Sequence, residues 1–458
     1  MTSSHPLWWE DVTASPTRPR LSGSLDADVV VVGAGYTGLW TARELLRRDP
    51  HLRVVVVEAQ HVGFGASGRN GGWASALFPV SLETLSAEYS VDHALALTRH
   101  LTDAVVELGR ALDNDGIGAD FVRGGTLTFA RGAVQEKRLR AEVSGAHQRG
   151  LSDDDIRWLS AREAESRARI AGSRGAMFSP HCARLHPAKL VHGLAKTVED
   201  LGATLYELSP VTRILPSRPG RRPEVVTLGG RVRADVVVQA TEGYTPSLGP
   251  RRTIVPLYSL MIATEPLSPE WWDHHGLRDC ETFADGRHLI IYGQRTADHR
   301  LAFGGRGAPY HFGSGVDPRF DEHAGVFTAL AETLRELFPD FDADITHRWG
   351  GPLAMPRDHF PRVSFDPSLG IARVGGYTGD GVTMSFVMGR LLATLLLHPD
   401  ELRDRPEIDI LTRAPRRWEI EPLRFLGINA GLWLAEHTDR AERAGRDSRA
   451  GRLLERLW

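Results

Sequence analysis

At 458 residues the chain is too long for one small core, and the prior is about two to three domain-sized units. A formal net charge of −3, with 41% hydrophobic and 25% charged residues, suits a soluble globular enzyme and calls for neither nucleic acid nor an acidic membrane as partner. Two cysteines, Cys182 and Cys280, exclude a disulfide framework and a structural zinc site; no apolar run of about 18 residues and no charged-then-apolar start occur, so no membrane span and a cytoplasmic protein are expected.

Residues 1–25, rich in Pro, Ser and Thr, read as an extended arm pinned by Trp8 and Trp9. Asp28 to Val32 is a continuous apolar run before glycines, as a parallel strand buried on both faces requires. Leu39, Ala42, Leu45 and Leu46 then recur with helical spacing, and Arg53 to Val57 forms a second apolar strand. The whole is a βαβ unit. Residues 84–170 read as helical and charged, broken by a strand around Gly124 to Phe129. A helix from Pro187 to Leu201 leads to strands at Thr204 to Glu207, Val225 to Leu228 and Asp235 to Ala240. Residues 254–305 alternate apolar and polar between turn signals, which predicts antiparallel sheet. Glycine-rich turns at Gly350-Gly351-Pro352 and Gly375 to Gly381 precede an apolar helix from Val382 to Leu397. An amphipathic helical tail, docked on the body, is expected over 415–458.

Gly33-Ala34-Gly35-Tyr36-Thr37-Gly38 lies between the first strand and its helix. Gly33 makes the tight turn, Gly35 lets backbone approach a pyrophosphate, and Gly38 permits close helix–strand packing. Phosphates then meet the free N–H groups of a helix N-terminus. Glu58 closes the next strand about twenty residues later, where a carboxylate accepts from ribose hydroxyls. This unit suits NAD or FAD. The loop that follows, Gly65-Ala66-Ser67-Gly68-Arg69-Asn70-Gly71-Gly72, lets backbone pass close to a flat ring and favours FAD.

With these motifs the chain resembles the D-amino-acid oxidase-like FAD-dependent oxidoreductases, the family of glycine and sarcosine oxidases. Within it, the chain is most similar to the gamma-glutamylputrescine oxidase-like branch. The resemblance rests on GAGYTG at Gly33 to Gly38, GASGRNGG at Gly65 to Gly72, ADVVVQAT at Ala234 to Thr241, IVPLYSLMIATEPL at Ile254 to Leu267, LAFGGRG at Leu301 to Gly307 and GGYTGDGV at Gly375 to Val382. It implies an α/β architecture, α+β overall. A Rossmann-like FAD-binding domain (26–95, 185–255 and 350–410) is interrupted by a substrate domain with a large antiparallel or mixed sheet (96–184 and 256–349). An N-terminal arm (1–25) and a C-terminal helical extension (411–458) complete the chain. The activity implied is oxidation of a C–N bond of a small amine or amino acid to an imine that water hydrolyses, with oxygen or another electron acceptor.

Carried over residue by residue, the resemblance gives Gly33, Gly35, Tyr36, Thr37, Gly38 and Glu58 to the ADP half of FAD. Ala66, Ser67, Gly68, Arg69, Asn70, Gly71 and Gly72 would line the flavin, Val211 would offer backbone to adenine, and Gly379, Asp380, Gly381 and Val382 would face the pyrimidine edge of the ring. The sequence departs from the family at three places. Asp380 stands where relatives commonly have His. Residues 356–374 lack the Cys that anchors flavin covalently in sarcosine oxidases, so attachment is expected to be non-covalent. Leu301-Ala302-Phe303 lacks the Lys credited with activating oxygen.

Substrate selection is expected from Tyr258, Tyr292, Arg306 and Trp349. Arg306 suits a substrate carboxylate or an internal ion pair. The two tyrosines and Trp349 suit the core as well as a pocket wall. His181, Cys182 and His186 match no metal-ligand spacing, and no metal is expected. His274 and His275 read as surface residues. Two other functions stay open: a flavin monooxygenase or related biosynthetic flavoenzyme, for which no second GxGxxG is present, and a flavin-bearing protein without catalysis.

Overall fold

The computed structural model describes residues 2–12, 18–249, 251–446 and 451; the remainder of the arm and tail expectations lies outside the described residues. At its centre is a six-stranded sheet in the order Arg362–Asp366, Ile371–Gly375, Val236–Gln239, Val29–Val32, Val54–Val57, Thr204–Tyr206. Every pair is parallel except the first. Val29–Val32 and Val54–Val57 are buried throughout because both faces of the sheet are covered. Side chains alternate along each strand, so Val29 and Val31 join the core beneath the helices while Val30 and Val32 join a separate core on the opposite face. Each such valine contributes about 1.5–3 kcal/mol on leaving water.

Helices Tyr36–Arg48, Val91–Asn114, Pro187–Asp200 and Gly381–Leu397 supply the first core. The second is capped by a four-stranded sheet, Gly23–Asp26, Gly230–Arg233, Glu224–Thr227 and Val211–Leu215. Only one of these four strands was legible in the sequence. The others are short and half-exposed, so their apolar signal is weak.

The second layer is an eight-stranded sheet, ordered Ile345–Pro356, Ile254–Thr264, Leu301–Gly305, Ile291–Arg295, Thr282–Asp285, Thr126–Phe129, Gly175–Ser179, Arg157–Ser160. It is mixed: Thr282–Asp285 and Thr126–Phe129 run parallel and the other neighbours antiparallel. The α/β architecture with a large mixed sheet is therefore observed. The cuts expected at 255/256 and 349/350 fall inside Ile254–Thr264 and Ile345–Pro356.

Three local expectations need correction. The arm is not simply extended: Leu7–Val12 is a 3-10 turn, Gly23–Asp26 a strand, and Trp8 is buried against Met261, Ala302 and Trp349. The stretch 84–170 contains a further strand, Arg157–Ser160, whose charged neighbours disguise it. His274 is exposed, but His275 is buried in the helix Pro269–His275 with Nε2 3.0 Å from Asp340, because adjacent helical positions face different ways.

Candidate active site

The carboxyl ends of the central strands gather the candidate cofactor residues. The chain leaves Val29–Val32 at Gly33, Val54–Val57 at Glu58, Val236–Gln239 at Ala240 and Ile371–Gly375 at Gly376. Neighbouring strands are reached from opposite directions here, and the resulting crevice is where parallel α/β sheets bind ligands.

Gly33 has φ +107, and a Cβ there would stand 2.5 Å from the Ala240 carbonyl oxygen. A Cβ on Gly38 would lie 2.0 Å from the Gly33 carbonyl oxygen, so glycine alone lets helix and turn touch. Gly35 caps the helix Tyr36–Arg48 without a side-chain hydrogen bond, and the Ser67 hydroxyl accepts from Tyr36 N at 2.8 Å. Tyr36 and Thr37 present only backbone to the crevice side: the Tyr36 hydroxyl donates to the Pro187 carbonyl (2.9 Å), and the Thr37 hydroxyl meets that of Tyr377 (2.9 Å). Glu58 Oε2 accepts from Ala34 N at 2.8 Å and Oε1 from Gln60 N at 2.9 Å. Burial holds its carboxyl above the usual range, with these N–H donors pulling the other way. Val211 opens a strand of the four-stranded sheet, two residues beyond Ser209, whose N–H donates to the Glu58 carbonyl.

The loop 65–72 folds as a 3-10 turn, Ala66–Gly68, closed by Asn70, whose side chain donates to the carbonyls of Ala66 (3.1 Å) and Ser67 (3.0 Å) and accepts from Gly72 N (2.8 Å). Arg69 turns away to ion-pair with Asp321 (2.5 Å) and to donate to Phe64 O (2.7 Å) and Gly350 O (3.0 Å). Opposite, Gly379, Asp380, Gly381 and Val382 form the start of the helix Gly381–Leu397, where Asp380 makes no capping bond. Glu242 fixes this run by accepting from Gly376 N (2.9 Å) and Tyr377 N (3.2 Å), and burial pushes its carboxyl up to about 7. Sequence reasoning missed Glu242; its signal is an acid three residues past the end of the buried parallel strand Val236–Gln239.

Both segments face a cavity of about 510 Å³, within the range of small-molecule sites. Ala66, Arg69, Asn70, Gly71, Gly379, Asp380 and Val382 line it, with Tyr292 and Arg306 from the large sheet. The Tyr292 hydroxyl pairs with that of Ser259 at 2.8 Å, and a Cβ on Gly71 would lie 2.6 Å from its ring. Arg306 donates to the Thr378 carbonyl at 2.5 Å. Asp380 is half-buried; withdrawal from solvent pushes its carboxyl up to about 6, with Arg306 pulling it down.

The other two pocket candidates point elsewhere. Tyr258 shares a face with Leu260 and Ile262, within the second layer's own core, and its hydroxyl accepts from Asp317 N (3.3 Å). Ser259, one residue on, faces the cavity instead; the strand's period of two decides between them. Trp349 is buried beside Trp8 and donates from its indole to Arg69 O at 2.8 Å, so it supports the loop 65–72 from behind. His181 pairs with Asp155 and His186 with Asp11, while Cys182 is buried, its thiol pushed up to about 12.

The crevice fits FAD on its own evidence. Side chains are excluded where backbone must approach a ligand, and the half-buried carboxylate of Glu58 ends the second strand. Trp73 Nε1 and Thr126 Oγ1, on the cavity wall, and Thr383 Oγ1, in the first turn beside it, are buried without partners.

This arrangement defines a flavoenzyme, and the comparisons give its family: the chain belongs to the DAO family of FAD dependent oxidoreductases, whose profile matches residues 28–395. These are enzymes acting on amine or amino-acid C–N bonds. Among its relatives are the probable oxidoreductase OrdL of Rhizobium meliloti, 30% identical over 85% of this chain and 88% of that one. The gamma-glutamylputrescine oxidoreductase of Escherichia coli is 30% identical over 82% and 85%. Glycine oxidase from Geobacillus kaustophilus has the same fold, with a TM-score of 0.69 at 23% identity over 81% of this chain and 95% of that structure. No helix among the described residues is long and apolar enough to cross a membrane.

Proposed function

We propose that this chain oxidises the C–N bond of a small amine or amino acid to an imine, which water then hydrolyses. The observation that carries this reading is the meeting, on one cavity, of two side-chain-poor backbone segments (Asn70-Gly71 and Gly379 to Val382) with Tyr292, Arg306 and Asp380. FAD, bound non-covalently, would supply the two-electron acceptor for oxidation of the carbon next to nitrogen. Gly33, Gly35, Gly38 and Glu58 would hold its ADP half, Val211 would offer backbone to adenine, and residues 66–72 and 379–382 would line the flavin.

The protein's own part is orientation and charge. The uncapped N–H groups of the first turn of Gly381–Leu397 stabilise negative charge gathering at the cavity wall. Hydride leaves a neutral amine, so a substrate ammonium must first lose a proton. The ionised Asp380 carboxylate accepts it, and a value of about 6 leaves the group mostly ionised at neutral pH. Tyr292, fixed by Ser259, and Arg306, fixed by Thr378, orient the remainder of the substrate; Arg306 recognises a carboxylate where the substrate has one. The substrate class agrees with two relatives, a gamma-glutamylputrescine oxidoreductase and a glycine oxidase.

The test is an anaerobic titration of the holoenzyme with polyamines, gamma-glutamylated amines, and D-, L- and N-methyl amino acids. Bleaching of the visible flavin band by one class supports the proposal, and readmitted air then separates oxygen from another acceptor. A holoenzyme bleached by NADPH and by no amine would sink it. Acid precipitation that leaves the yellow colour in the pellet would overturn non-covalent attachment.

A further inference from the structure

The helix Leu423–Arg443 lies on the outside of the molecule and is docked through Ile428, Ala435, Thr438, Asp439 and Glu442. Its inward contacts are built: Asp439 accepts from the backbone N–H groups of His288 (2.7 Å) and Leu289 (2.9 Å), and Glu442 pairs with Arg138 at 2.9 Å. Its outward face is different. Over the first three turns the exposed residues are Leu423, Leu426, Gly427, Ala430 and Trp433, with no charged or hydrogen-bonding group except the Trp433 indole. They recur at helical spacing and span about 15 Å.

Six large apolar side chains of the described residues are more than half exposed, and five of them gather here: Phe312 (62%), Ile420 (59%), Leu423 (61%), Leu426 (59%) and Trp433 (63%). Phe312 joins the group through Phe425, ring centroids 5.9 Å apart. Single exposed apolar residues are ordinary, but a contiguous patch marks a surface that something covers.

The charge at the rim selects the occupant. Arg416 and Arg417 are exposed a turn's length before Ile420. Arg417 pairs with no carboxylate among the described residues, and Arg416 reaches Asp358 only at 3.9 Å with its side chain 64% exposed. The nearby carboxylates are already answered, Glu419 by Arg357 (3.1 Å) and Glu421 by Arg424 (2.8 Å). A second copy docking through the same face would bring more arginine and no free acid at this rim. An anionic lipid surface answers both features, since acyl chains take the leucines, tryptophan settles at the headgroup level, and lipid phosphates take the arginines.

We propose that this face seats the enzyme on an anionic membrane surface without crossing it. The patch lies over an apolar cavity of about 230 Å³ lined by Leu257, Met355, Leu432 and Ala435, which adjoins the candidate active site through Ile290, Arg306 and Leu353.

The experiment is co-sedimentation of the FAD-loaded protein with vesicles of phosphatidylglycerol and phosphatidylcholine, and with phosphatidylcholine alone. Binding is expected to the mixed vesicles, to fall steeply as salt is raised, and to be far weaker on the neutral ones. The triple variant L423S/L426S/W433S alters only exposed side chains, so it keeps its flavin spectrum and loses binding roughly a hundredfold. The double variant R416Q/R417Q loses roughly tenfold or more. No sedimentation with either vesicle, or sedimentation untouched by the triple variant, overturns the proposal. So does a holoprotein dimer in light scattering that the triple variant turns into monomer.

Discussion

The indole N–H of Trp8 donates to the main-chain carbonyl of Asn70 at 2.9 Å, and the indole of Trp349 donates to the preceding carbonyl, that of Arg69, at 2.8 Å. Two tryptophans from distant parts of the chain thus hold consecutive peptides of the loop assigned to the flavin. The rings themselves meet edge to face, 6.2 Å apart. Trp8→Phe and Trp349→Phe each keep the packing and remove one donor, leaving a buried carbonyl short of a partner. Each is expected to cost about 1 kcal/mol in the thermal stability of the holoprotein and to speed FAD release. The double variant should depart from additivity because the two bonds share one loop. Additive effects with an unchanged release rate would show that the pair merely fills space.

Glu58 is expected to matter for binding and little for turnover once cofactor is saturating. Glu58→Ala should weaken FAD binding to the apoprotein by about 10–100-fold, the value of a hydrogen bond to a charged group. Fluorescence titration with FAD measures this directly; wild-type affinity would refute its assignment to the ADP half.

Asp380 gives a pH signature whose sign is fixed. Its carboxyl rises from 3.8 to about 6 in the folded chain. A raised carboxyl contributes stability that is fully present below the unfolded value and is lost as pH climbs through about 6. Asp380→Asn should therefore flatten this part of the apoprotein's stability profile between these values. Above pH about 6 it should be the more stable protein by about 1–2 kcal/mol, the partial exposure of the group trimming the gain. Urea midpoints measured from pH 4 to 8, on the scale of the same two values, provide the check. Parallel profiles for the two proteins would contradict the raised value.

The opposite faces of one sheet give a specificity test. Tyr292→Phe removes the hydroxyl paired with Ser259 on the cavity wall and should lower kcat/KM about tenfold. Tyr258→Phe alters the other face and should leave it within about twofold. Arg306→Gln should raise KM roughly tenfold or more for amines bearing a carboxylate and barely change simple amines. Equal losses for both substrate types would show that Arg306 serves to hold Thr378.

The sequence alone determined the strand, glycine turn and helix at Val29 to Arg48 and the acid closing the next strand, because that unit is specified locally. Gly33, Gly35 and Gly38 sit at fixed offsets between a valine strand and its helix, and Glu58 closes the next strand; short-range geometry needs no knowledge of distant chain. The resemblance carried the family further, through motifs each only a few residues long. The substrate side was decided by tertiary structure. Whether Tyr258 or Ser259 faces the cavity depends on which side of Ile254–Thr264 the flavin layer covers, and a one-residue shift inverts the answer. Trp349 and Tyr292 look alike as aromatics on strands, yet one is sealed behind the loop by Trp8, some 340 residues earlier, and the other is open to the cavity. Glu242 acquires its role only because Ile371–Gly375 joins the sheet beside Val236–Gln239. Such contacts join residues far apart in sequence, and periodicity carries no record of which strand will lie beside which.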